Sequence, residues 1–239
     1  MAIAAPPSNL SANDARVLNA LFDPETLPSS VAKSKDATPI DPSLPPHASI
    51  STTKLSALEN QQNDIVRRVS SSSSIEDIDT AISELDRVVS QEPNYASAYI
   101  NRAMLLRLKL ESQLAAAQHI FSLPTASIQP LFTDLSRAIH VSLPSSSPTA
   151  PVSPYQAKKL RTAYSHRAYL YLKAAEIGTS LQGLEKSELE ELASKDFAGA
   201  ARYGDEAARE MSVRTNPYAK MCGAIVRNAL KEEMKGEGV

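Results

Sequence analysis

Glycine is scarce and arrives late. The 239-residue chain has seven, and the first is Gly178. A chain without glycine that far in has no Gly-rich phosphate loop, no dinucleotide fingerprint and no Asn-Gly or Asp-Gly hairpin turn over that length. Cysteine is nearly absent too: Cys222 alone makes neither an internal disulfide nor a Cys-rich metal site. Charge of one sign is missing, because 25 basic against 27 acidic residues leave a net −2. That speaks against nucleic acid as a partner, which usually draws on a basic excess. No apolar run approaches the ~18 residues of a membrane span, so no membrane partner is expected. The opening MAIAAPPSNLSA has neither the basic nor the apolar region of a signal peptide, and a cytoplasmic location follows as the expectation, with the nucleus left open.

What is present is Ala-rich and periodic. Hydrophobic residues are 42% of the chain, enough for one core of ordinary size. The sixteen prolines are clustered, eight between Pro6 and Pro46 and six between Pro124 and Pro154. Proline breaks helix interiors, so these clusters mark 24–50 as a linker and 143–153 as a loop. Between them the pattern is helical. A short helix carries Val17, Leu18, Leu21 and Phe22. A helix follows over 53–69. Another starts after Ser74, with Ile75, Ile78, Ile82, Leu85 and Val88 on one face and Ser74/Asp77 as a capping pair. Further helices are expected over 95–111, over 131–141, from a Ser153 cap with Pro154 to about 175, and from a Ser187 cap to about 204. A short one in DEAAREM precedes a last helix from an Asn216 cap with Pro217 to about 234.

The chain also repeats itself. AYINRAML at 98–105 and AYSHRAYL at 163–170 share alanine, tyrosine, arginine, alanine and leucine in register. Repetition at this scale is the mark of a solenoid of helix pairs. Tyr99, Ala103 and Leu106, and again Tyr164, Ala168 and Tyr171, set large residues around a small one that admits a neighbouring helix. Ala103 and Ala168 are therefore expected to be buried. Trailing helices follow at Ala81/Leu85/Val88, Leu131/Leu135/Ala138 and Ala193/Phe197/Ala200. Arg102 and Arg167 stand beside the small residue where leucine is usual. Repeats longer than the common length of about 34 residues imply inserted loops near 110–129, 143–153 and 178–186.

This pattern resembles the tetratricopeptide-repeat superfamily. With VLNALFDPETLP at 17–28, ASAYINRA at 96–103, DFAGAARYG at 196–204 and NPYAKMC at 216–222, it is similar to the tetratricopeptide repeat protein thirty-six family. The resemblance implies an all-α helical solenoid: about three irregular repeats over 51–215, then a C-terminal capping helix and tail over 216–239. It also implies protein binding without catalysis or cofactor, as an adaptor associated with chaperones of the seventy-kilodalton heat-shock class. Co-chaperones of the superfamily often grip a partner's terminal carboxylate. Here Asn101 matches one clamp position, while Glu59, Thr162 and His166 fall where cations belong, so a chaperone is expected to bind outside its acidic tail.

Leading helices of such a stack line a concave groove that takes a peptide or a helix. Ile100, Asn101, Met104, Ser165, His166 and Tyr169 are the candidate groove residues. Lys158, Lys159, Arg161 and Arg167 form a mildly basic stretch, read as a solvated helix face or as a site for an acidic peptide. Four dispersed histidines, His47, His119, His140 and His166, lack metal-ligand spacing. Cys222 is expected to be a buried thiol. Two rival readings are a structural subunit whose groove is filled by its own N-terminal segment and an enzyme with a site not visible in sequence. The oligomeric state is left open.

Overall fold

A computed structural model describes residues 40–115, 118–144, 147 and 150–236, with backbone alone for 227 and 229–236. Among the described residues the architecture is all-helical, with eight α-helices. They are α1 (Thr52–Arg67), α2 (Ile75–Gln91), α3 (Ala96–Ser112), α4 (Thr125–Ser142), α5 (Pro154–Ile177), α6 (Lys186–Arg202), α7 (Glu206–Thr215) and α8 (Pro217–Gly236). The expected helix over 17–22 and the linker residues 24–39 lie outside the described residues.

Local chemistry sets the starts and stops. Ser74 and Asp77, and Ser153 and Gln156, cap α2 and α5 reciprocally, and Pro154 opens α5. These pairs satisfy amides that have no partner within the helix. Gly178, at φ +75°, ends α5 in the left-handed conformation that glycine adopts freely. Two starts differ from expectation. α6 begins at Lys186, with the Glu185 amide donating to the Glu188 carboxylate at 2.8 Å. α4 begins at Thr125 and runs through Pro130. Burial of Ile128 and Leu131 outweighs the one backbone hydrogen bond that proline removes.

Each helix packs on its neighbour in the chain, and α3 also touches α1 and α5. The leading helices thus form one layer and the trailing helices α2, α4 and α6 lie behind them. Apolar clusters fill the seams. Ile65, Ile78, Ala81, Leu85 and Leu105 close the first seam, and Ile128, Leu131, Leu135, Leu170 and Leu189 form the middle one. Ala168, Ala193, Phe197 and Ala200 close the α5–α6 seam. Ala103 and Ala168 are buried, and Gly199 lets α6 approach so closely that an added Cβ would lie 3.0 Å from the Tyr164 ring.

The Pro-rich segments are more firmly held than their composition suggests. Residues 40–50 lie against the start of α5. Ile40 bridges to Val152, the Asp41 amide donates to the Val152 carbonyl at 2.9 Å, and Ser153 Oγ donates to the Pro46 carbonyl at 3.3 Å. His47 Nδ1 accepts from the Ser49 and Ile50 amides, so its proton sits on Nε2 and is donated to the Asn94 carbonyl at 3.1 Å. Ile50 and Val152 are buried. Proline bars a helix here, but it leaves carbonyls and apolar anchors free to pack. The 178–186 insertion is pinned in the same way, by buried Leu181 and its bridge to Leu184.

Candidate binding groove

Arg102 and Arg167, the two departures from leucine, tie the helix layers together. Arg102 Nε and Nη2 donate to both oxygens of Asp134 on α4 at 2.7 and 2.5 Å, and Nη1 donates to Asp86 on α2 at 2.7 Å. Arg167 repeats the arrangement one pair later. Its Nε and Nη2 donate to Asp196 on α6 at 2.6 and 2.8 Å, and Nη1 donates to Ser136 Oγ on α4 at 2.8 Å. Each guanidinium therefore joins its own trailing helix to the preceding one. Burial drives both aspartate carboxyls above their ordinary value, and the bidentate guanidinium opposes it. These arginines fix the angle between helices and so shape the face in front of them.

That face is a trough made of three adjoining hollows, each of about 360 Å³. The first, at the start of α3, is polar: Glu59, Gln62, Asn63, Ser97, Asn101, Lys158, Lys159 and Thr162 surround it. It shares Asn101 and Met104 with the second, apolar hollow, where Val66, Val69, Leu105, Leu108, Leu131, Leu135 and Leu170 meet His166. Arg107, Glu111 and Leu170 carry the wall on into the third, beside Phe121, Tyr169 and Lys173. From Ser97 to Glu111 the trough follows α3 for about 21 Å at the helical rise.

The six candidate residues part company here. Asn101, Met104 and His166 meet in the apolar hollow, and Tyr169 stands in the next one. Met104 and Tyr169 are 47% and 40% exposed, an unusual state for large apolar side chains lining a concavity. Tyr169 is flanked by Arg107 and Lys173, whose cationic groups lie 5.3 and 5.7 Å from its ring centroid. Ile100 borders the polar hollow but is buried among Tyr99, Ala157 and Leu160. Ser165 faces the other way, with Oγ donating to Asp205 at 2.7 Å at the start of α7. It belongs to helix packing.

Inside the trough, Asn101 Nδ2 donates to Gln62 Oε1 at 2.8 Å, and the buried Gln62 Nε2 has no hydrogen-bond partner among the described residues. Burial and the nearby Arg107 lower the His166 pKa. The basic stretch is not one solvated face. Lys158 is exposed, Lys159 is half-buried with Nζ 4.8 Å from the Tyr155 ring centroid, and Arg167 is the paired arginine above. Sequence reasoning missed the contributions of Gln62, Val66, Val69 and Arg107; the α1 residues were hidden because the first leading helix matches the repeat poorly. Among the described residues no group of three or more metal-ligating side chains forms, and no helix is long and apolar enough to cross a membrane. Cys222 is exposed, not buried, because α8 is covered along a narrow face at Gly223 and Cys222 lies off it.

Fold and trough define an all-helical protein of stacked helices with a continuous, partly apolar concave face. The chain is 41% identical to the L-tyrosine degradation gene cluster protein hmgX of Aspergillus fumigatus, over 95% of its own length and 94% of that protein. It belongs to the family of that protein. It is also similar, at 27% identity over 77% of the chain and 71% of the relative, to Tetratricopeptide repeat protein 36 of Xenopus tropicalis. No family model and no solved structure matches it.

Proposed function

We propose that the chain is a tetratricopeptide-type solenoid that binds a partner protein in its trough, serves L-tyrosine degradation, and acts without catalysing a reaction. One observation carries this reading: α1, α3 and α5 line one uninterrupted trough in which Met104 and Tyr169 stay exposed beside a polar end. Solenoids of helix pairs use such faces for extended or helical segments. The setting comes from the name of the Aspergillus relative, which directs the first search to the enzymes of that breakdown. The heat-shock chaperone rests on the family resemblance alone.

The test uses purified full-length chain and purified enzymes of L-tyrosine degradation, with binding followed by calorimetry. One of them binds, and Met104→Glu weakens it by about tenfold or more, because the partner's apolar side chains then meet a charge. Binding untouched by Met104→Glu and by Tyr169→Ala would sink the groove reading. A purified seventy-kilodalton chaperone, intact and lacking its acidic tail, serves as the second arm. Equal binding by both forms is the expectation, since Glu59 sits in the polar end of the trough.

A further inference from the structure

Ser70 and Ser71, in the turn between α1 and α2, line the apolar hollow together with Val66, Val69, Met104 and Leu108. The preceding residues are Arg67, Arg68 and Val69. This sets two guanidinium groups two and three positions ahead of a serine hydroxyl. Protein kinases with an acidic substrate cleft select that spacing, because each arginine makes charge-assisted hydrogen bonds to cleft carboxylates while the hydroxyl reaches the γ-phosphoryl group. From these two observations, the motif and its place on the trough wall, we infer that Ser70 is a phosphorylation site through which a kinase of this class regulates the groove.

The turn is accessible and lightly held. Ser70 and Arg67 are exposed. Among the described residues the Ser70 hydroxyl engages only Ser72 and Ser73 of its own turn. Arg68 is tied to Glu84 at 2.5 Å and to the Asp64 carbonyl at 3.1 Å. Its side chain is 57% exposed, and exposed pairs of this kind are weak. A kinase therefore extracts 67–71 by loosening the last turn of α1 and lifting the partly buried Val69 off the edge of the first seam. In the transfer, Ser70 Oγ attacks the γ-phosphorus of ATP held by the kinase. The Oγ–P bond forms, the bond to the bridging β–γ oxygen breaks, ADP leaves, and the hydroxyl proton passes to the kinase's base.

The product carries a near-dianion on the lip of an apolar hollow. A partner segment covering that hollow has to strip water from the charge, which is costly without a compensating cation. Phosphorylated Ser70 thus releases an apolar guest. This consequence rests on the groove reading; the transfer itself does not.

Full-length protein is incubated with Mg·ATP and the catalytic subunit of a cyclic-AMP-dependent protein kinase, and the sites are mapped by mass spectrometry. One phosphate appears on Ser70, Ser70→Ala abolishes it, and Arg67→Ala/Arg68→Ala slows it by roughly tenfold or more through loss of two charge-assisted contacts. In protein labelled with 13C-methyl methionine, the Met104 methyl resonance moves on phosphorylation. Absence of incorporation, incorporation that survives Ser70→Ala, or equal rates in the double arginine variant would overturn the assignment. An unmoved Met104 signal would overturn the coupling to the groove. Should Met104→Glu leave partner binding intact, the groove reading falls while a mapped Ser70 phosphate stands.

Discussion

Asp196 and Arg167 are both largely buried, at 9% and 19% side-chain exposure, so neither can lose its partner cheaply. Removing one half of such a pair strands a desolvated charge, at a cost of about 3–5 kcal/mol. Asp196→Ala is therefore expected to lower stability by that amount in a urea titration. Arg167→Met with Asp196→Leu should recover most of it, because a well-packed apolar pair has no charge to desolvate. His166 gives a pH signature. Its native pKa lies below the ordinary 6.5, so between the two values the unfolded chain binds more protons than the native one. Stability then rises with pH across that window and is lost as pH falls from about 6.5 through the native pKa. An NMR titration of the imidazole with a midpoint below 6.5, and a flatter profile of stability against pH in His166→Gln, check the sign. Exposed Cys222 should react with a thiol reagent in the native protein as fast as in the unfolded chain. Asn101, Met104, His166 and Tyr169 were legible because the repeat register places them. Ile100 and Ser165 share the right helices, but the period alone does not tell which of two neighbouring faces a residue one step away will take.

At the level of elements, most caps were readable: Ser74, Ser153, Pro154 and Asn216 stand where their chemistry requires, while Ser187 lies inside α6 and Glu185 caps it. Pro-rich composition misled at 40–50. It reports the absence of helix, and long-range packing then decides whether the segment is anchored. Residues 40–50 were legible only as non-helical, since their partner Val152 lies about a hundred residues on. Val152→Asp tests the anchor. It puts a carboxylate where no exposed surface exists, and limited proteolysis between 40 and 50 should become markedly faster, while sites within α5 and α6 keep their protection. Unchanged cleavage would mean that the strap does not depend on Val152.

Across the molecule each helix leans mainly on its neighbours in sequence, and the contact is thickest between α5 and α6 and thin around α1 and α8. In quasi-one-dimensional stacks local opening follows local contact. Amide hydrogen exchange should therefore release α1 well before α5 and α6, and comparable protection in all three would contradict a stack that frays at α1. The repeated arginine gives the stack a history as well as a shape. Because Arg102 serves α2 and α4 together, and Arg167 serves α4 and α6, neither arginine can drift unless its aspartate drifts with it. Among descendants of a common ancestor, positions 102 and 134 should change as a couple, and so should 167 and 196. A lineage that deletes one helix pair whole keeps its books of charge intact, while one that deletes a single helix leaves an orphaned ion for selection to remove.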